Sequence, residues 1–134
     1  MSVRLILPLA ALLAAAAVAL GAYSAHGLEK HLQAAGYAED LAVRRDWFAT
    51  GVQYQMYHAL ALALVGLLAA GETASGGLRV AAVAFLLGIL LFSGSLYVMT
   101  LAPTEWRKLG AVVPLGGASF LIGWLALAYA AWRR

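Results

Sequence analysis

Gln53-Tyr54-Gln55-Met56-Tyr57-His58 runs without a break into Ala59-Leu60-Ala61-Leu62 and on through apolar residues to Ala70. In a soluble domain this would be the first turns of an ordinary helix. In a chain solvated by lipid it sets a histidine below the interface, where polar groups are costly and are kept for a purpose. Composition decides between the two. The chain has 134 residues, 64% of them hydrophobic and only 11% charged, with a mean hydropathy of +0.86. Soluble domains carry about a quarter charged residues. The stretch therefore opens a membrane span over Gly51–Ala70.

Working outward, Gly71-Glu72-Thr73-Ala74-Ser75-Gly76-Gly77 is turn chemistry and too short to cross anything. A third span over Leu78–Leu101 must then be an antiparallel neighbour of the second, ending before Pro103. The charged loop Glu105-Trp106-Arg107-Lys108 leads to a fourth span over Gly110–Ala131, closed by Trp132-Arg133-Arg134. Upstream, the 21 residues Leu5–Ala25 carry no charge and reach about 31 Å as a helix, enough for the hydrocarbon core. A cleavable signal peptide is the alternative, but the run is long for a signal core, so it reads as the first span.

The longest connection covers residues 26–50. His26-Gly27-Leu28-Glu29-Lys30-His31-Leu32 continues the helix briefly until Ala35-Gly36 breaks it. Asp40 and Arg44 then stand at i,i+4, and Leu41, Phe48 and Val52 fall on one face. That pattern predicts an amphipathic helix lying in the interface, with Trp47 at headgroup depth. The expected fold is an all-α integral membrane protein forming one domain over residues 1–134. Its four transmembrane helices form an up-down-up-down antiparallel bundle, with the interfacial helix between spans one and two.

Both termini fall on one side, together with Arg4, Arg79, Arg133 and Arg134; the other side carries Lys30, Arg44, Arg45, Arg107 and Lys108. The positive-inside rule is nearly balanced, and the arginines close to the span ends favour cytoplasmic termini. The net charge of +3 is scattered rather than gathered into a basic patch, so nucleic acid is not an expected partner. There are no cysteines, which removes disulfides, thiolate metal sites and cysteine nucleophiles together.

Threading the spans up and down gathers polar residues in the half of the membrane beside the long connection. Tyr23, Ser24 and His26 leave the first span there, Gln53, Gln55, Tyr57 and His58 open the second, and Ser93, Ser95, Tyr97 and Thr100 close the third. Past Pro114, the fourth span adds Gly116, Gly117 and Ser119. The opposite half is Ala, Leu, Val and Gly, with Trp124, Tyr129 and Trp132 as its aromatic belt. Small residues at Gly21 and Ala25, at Gly88 and Ser95, and at Ser119 and Gly123 allow close helix approach. Pro114 reads as a first-turn proline or a mild kink.

Four strings carry a resemblance over nearly the whole chain: Gly21-Ala22-Tyr23-Ser24-Ala25-His26-Gly27-Leu28, Gln55-Met56-Tyr57-His58-Ala59-Leu60-Ala61-Leu62, Phe92-Ser93-Gly94-Ser95-Leu96-Tyr97, and Pro114-Leu115-Gly116-Gly117 with Gly123-Trp124. In this order they resemble the motifs of the YgdD/YwdK family, the domain of unknown function 423. Its members are small four-span membrane proteins of bacteria, with animal transmembrane-protein relatives. Val113 stands where that pattern has a threonine before the proline. The resemblance implies an inner-membrane location and a four-helix fold. It implies no activity and no catalytic residues.

His26 and His58 are the sharpest candidates for chemistry. Two neutral imidazoles facing across a bundle could hold a haem or a metal ion. Neither has a second ligand at i,i+3 or i,i+4 within its span, so histidines tying helices together by hydrogen bonds are the favoured reading, with no cofactor. Glu29 near His26 could relay a proton, but a carboxylate beside Lys30 is more often a solvated charge. No nucleophile–base–acid constellation and no phosphate-cradling glycine loop is present, so catalysis is not expected. Two functions remain. One is a structural or accessory membrane protein, partnered by lipids and by a larger membrane complex or a second copy of the chain. The other is a transport or binding protein for a small molecule, ion or lipid, using a polar vestibule around His58.

Overall fold

The computed structural model describes residues 3–70 and 76–133, and every element among them is helical. In order these are α1 (Val3–His26), α2 (Leu28–Ala34), α3 (Leu41–Ala70), α4 (Gly76–Gly88), a π-helical turn (Ile89–Ser93), α5 (Gly94–Leu101), a 3₁₀ segment (Thr104–Ala111) and α6 (Val113–Trp132). Four stretches are long and apolar enough to cross a membrane: Leu5–His26, Leu41–Ala70, Gly76–Leu101 and Thr104–Trp132. Residues 71–75 of the expected turn lie outside the described residues, as do Arg134 and the Arg4 side chain. Gly76 and Gly77, assigned to that turn from sequence, instead begin α4.

Two expectations need correcting. No separate interfacial helix precedes the second span; residues 41–50 are the first three turns of α3, which continues unbroken to Ala70. No proline interrupts this run, and its glycines Gly51 and Gly66 are buried against neighbouring helices. Thirty residues make a rod about 45 Å long, matching the hydrocarbon core plus both headgroup layers. The charged segment after Pro103 is likewise not an open loop but a 3₁₀ segment leading into α6. Pro114 sits in the first turn of α6, where its missing N–H breaks no helical bond.

The connection between α1 and α3 holds the short α2, whose Leu28 and Leu32, one turn apart, are buried against Phe48. Gly36, at φ +83°, ends it. The Gly36 amide donates to Gln33 O at 3.0 Å and the Tyr37 amide to Leu32 O at 2.9 Å, the paired bonds of a left-handed helix stop that glycine adopts without strain.

α1 packs on α3 with reversed order along the two helices: Gly21 lies against Val52, and Gly66 against Ile6 and Leu7. α4, the π turn and α6 pair in the same reversed sense, Gly77 on Ala130, Phe85 on Gly123 and Phe92 on Gly116. Gly116 is needed for approach rather than for backbone freedom, because a Cβ there would collide with the Phe92 backbone. This is the close small-residue contact that substitutes for a hydrophobic drive in lipid. The main core lies between Ile6, Leu62, Val65, Leu78, Phe85, Phe120 and Leu127. A smaller one gathers Leu28, Leu32 and Phe48 beside Tyr23, Tyr37 and Tyr97.

Candidate functional site

The polar residues read from sequence as one cluster separate into distinct groups once helix rotation is fixed. The first group ties three helices. Gln55, buried on α3, donates from Nε2 to Leu13 O on α1 at 2.9 Å, and Tyr97 on α5 donates its hydroxyl to Gln55 Oε1 at 2.9 Å. The Tyr97 ring covers Gly51, where a Cβ would come within 2.8 Å of it, and packs 5.0 Å from Phe48. An amide with its oxygen and one N–H both engaged between helices is a structural tie.

The second group centres on His58. Its Nδ1 lies 2.8 Å from Tyr54 O, and the Trp124 indole donates from Nε1 to His58 Nε2 at 3.3 Å. An indole N–H can only donate, so Nε2 accepts, and Nδ1 carries the proton that it gives to Tyr54 O. The ring is therefore a neutral imidazole of defined tautomer. It stacks on Phe120 at 3.4 Å between centroids and 8° between planes, with Phe85 at 5.7 Å. Tyr54, one turn before His58, stacks on Phe92 at 4.5 Å. Phe92 lies in the π turn, where one extra residue per turn shifts the register between α4 and α5.

Trp124 was expected in the far aromatic belt. It lies instead near the middle of α6, bonded to His58, because α6 turns that face towards α3. α1 packs on α3 and α6 packs on the α4–α5 span, so the space between α3 and α6 is bridged by aromatic side chains. A cleft of about 710 Å³ opens there, lined by Tyr54, Tyr57, His58, Phe92, Phe120 and Trp124 and floored in part by Gly117. Its walls are mainly apolar, and its outer rim is the exposed Leu60 and Leu121. It is thus an aromatic cleft open at the outer surface of the helices, with mainly apolar walls where the alternative reading had a polar vestibule.

The remaining sequence candidates lie elsewhere. Gln53 donates to the Tyr57 hydroxyl at 2.6 Å on the exposed face of α3. Tyr23 packs edge-on to Phe48 and to His31, and Ser24 is half-buried beside it in sequence. His26 is exposed at the end of α1, whereas His58 is enclosed by residues of α3, α4 and α6; the fold does not bring the two histidines together as paired ligands. Among the described residues no group of three His, Asp or Glu side chains could hold a metal ion. Ser93 and Ser95 are buried, and Ser93 Oγ has no protein hydrogen-bond partner. Glu29 pairs with Arg45 at 2.6 Å, both half-exposed, a contact of small energetic weight.

Arg44 was read as one more flanking charge, and that reading missed its role. Its side chain is fully buried. Nη1 donates to Thr100 O at 2.6 Å, Ala102 O at 3.0 Å and Met99 O at 3.1 Å. The guanidinium also stacks 3.6 Å from the Tyr37 ring centroid. α5 stops before Pro103, which leaves its last carbonyls without amide donors, and a cation at that end also complements the helix dipole. Thr100 returns the contact, donating its hydroxyl to Arg44 O at 3.1 Å and to Leu96 O at 2.8 Å. Asp40 pairs with Arg107 at 2.5 Å, so the start of α3 is fastened to both segments around Pro103. The sequence signal was present in the i,i+4 pairing of Asp40 and Arg44, but each proved to hold a distant segment rather than the other.

The model of the family described as "Protein of unknown function (DUF423)" matches residues 20–117. The chain is similar to the UPF0382 membrane protein YwdK of Bacillus subtilis (strain 168), 43% identical over 92% of each chain. It is also similar to the UPF0382 inner membrane protein YgdD of Escherichia coli (strain K12), 38% identical over 99% of this chain and 93% of that one. A UPF0382 membrane protein of Haemophilus influenzae is 39% identical over 87% of this chain and 84% of its own length. No solved structure matches.

Proposed function

This chain belongs to the DUF423 family of membrane proteins of unknown function, and we propose that it works as a membrane-embedded binding protein for an apolar or amphipathic molecule. The ligand enters the α3–α6 cleft from the lipid. One observation carries the reading: about 710 Å³ of aromatic-walled space around His58, within the range of small-molecule sites. The nitrogens of His58 are both engaged, so the ligand is held by stacking and dispersion against Tyr54, Phe92, Phe120 and Trp124 rather than by coordination. The reading includes no catalysis and no bound cofactor. It places the chain in the bacterial inner membrane with both termini on the cytoplasmic side.

Native mass spectrometry of the protein extracted in mild detergent tests this. The wild type carries a membrane-derived molecule that Gly117→Leu, which fills the cleft floor, loses. Equal retention by both proteins would remove the proposal. A second reading, an accessory subunit docking through the same face, is favoured by the exposure of Tyr57, Leu60 and Leu121 beside the cleft. It predicts that gentle extraction yields a larger particle containing other chains or further copies of this one.

A further inference from the structure

A second groove lies on the other flank of the α4–α6 seam. It holds about 410 Å³ and is walled by Val80, Val83, Ala84 and Leu87 of α4 and Ile122 of α6, with Arg79 at one end. At 100° per residue, Ser119 and Ile122 leave α6 on the side opposite Gly117, Leu121 and Trp124, so the groove is separate from the aromatic cleft. Ser119 also lines it, but its hydroxyl is already committed to Leu115 O at 3.0 Å. The walls therefore present methyl and methylene groups and almost no free polar group.

Charge is confined to the end. Arg79 is exposed one turn into α4, at the end of the bundle where α4 begins and α6 finishes. It forms no ion pair among the described residues, in contrast to Arg45 and Arg107. From Arg79 to Leu87 the groove follows α4 for about 12 Å, from the membrane surface towards mid-bilayer. A cation at headgroup level with an apolar channel running inward from it is complementary in charge and polarity to one half of an anionic phospholipid. A partner helix would satisfy the apolar walls but would need an acidic residue at the level of Arg79 to match the arginine as well.

We propose that the α4–α6 groove is a bound-phospholipid site, holding one acyl chain along Val83 and Leu87 and an anionic headgroup against Arg79. The lipid is of the anionic class, because an exposed guanidinium with no ion pair among the described residues attracts a net negative headgroup more strongly than a zwitterionic one. One such contact corresponds to about a fivefold preference.

The test uses the full chain, stripped of lipid in detergent and then offered phosphatidylglycerol or phosphatidylcholine, with retained lipid counted by native mass spectrometry. Wild type should retain phosphatidylglycerol about fivefold over phosphatidylcholine. Arg79→Gln should abolish that preference and Arg79→Lys should keep most of it. Val83→Trp should lower retention of both lipids, and Ile122→Trp on the facing wall gives the same reading if Val83→Trp does not fold. Gly117→Leu, in the other cleft, should leave the preference intact, so failure here and failure of the cleft proposal are told apart. An unchanged preference in Arg79→Gln, or full retention in the tryptophan variants, overturns the site. Displacement of the lipid by inorganic phosphate would reduce the site to a headgroup contact and overturn the acyl-chain assignment.

Discussion

Replacing Arg44 with methionine keeps most of the side-chain volume while removing every donor. Met99, Thr100 and Ala102 then lose the contacts made by Nη1, and the Tyr37 ring loses its cation. Two effects oppose each other. Removing a buried guanidinium relieves its desolvation penalty, whereas removing one partner of a buried charged contact costs about 3–5 kcal/mol. The carbonyls left behind are backbone groups that cannot be exchanged for apolar ones, each worth about 1–3 kcal/mol when unpaired. The loss therefore wins, by about 3 kcal/mol, which for a chain of this size lowers the melting temperature by about 10 °C. Arg44→Lys should fall between the two, because an ammonium can donate to the carbonyls but cannot stack flat on Tyr37 as the guanidinium does. The assay is thermal unfolding in a mild detergent, followed by far-UV circular dichroism. An Arg44→Met protein melting within about 2 °C of wild type would show that the guanidinium does not hold α5 to α3.

Three other perturbations probe separate ties. His58→Leu and Trp124→Phe should each destabilise the bundle by about 1 kcal/mol, and the double variant by less than the sum, since both remove one interhelical hydrogen bond. Strict additivity in detergent melts would mean that the bond contributes nothing. Gln55→Leu should release α1, raising amide hydrogen exchange around Leu13 more than in α6; uniform exchange along the chain would contradict the tie. Gly116→Val, pressed against the Phe92 backbone, should cost about 3 kcal/mol or prevent folded extraction, whereas Gly117→Val should extract as wild type.

The four spans were legible because lipid-solvated helices declare themselves by length and hydropathy, and these properties survive without tertiary information. Helix assignment was legible too: Gln55, His58, Ser93 and Tyr97 were all placed on spans, and they lie on α3, the π turn and α5. Rotation about each helix axis was not. It is rotation that sends Gln55 towards α1 and His58 towards α6, and brings Trp124 out of a supposed belt into contact with His58. The start of α3 was misplaced because Asp40 and Arg44, spaced i,i+4 beside Leu41 and Phe48, look like the polar face of a surface helix. A charge that caps a neighbouring helix has the same local pattern as one facing headgroups, and only the distant carbonyls of Met99–Ala102 tell them apart. The π turn has no sequence counterpart beyond the flanking Gly88 and Gly94.

The central claim is that the cleft between α3 and α6 holds a small membrane-borne molecule. A photoreactive benzophenone amino acid placed at Leu121, on the cleft rim and 67% exposed, tests it in native membranes. After irradiation and purification, intact-mass spectrometry should show one defined small-molecule adduct, absent when Gly117→Leu fills the cleft floor. Crosslinks only to another polypeptide, or an adduct unaffected by Gly117→Leu, would contradict the account.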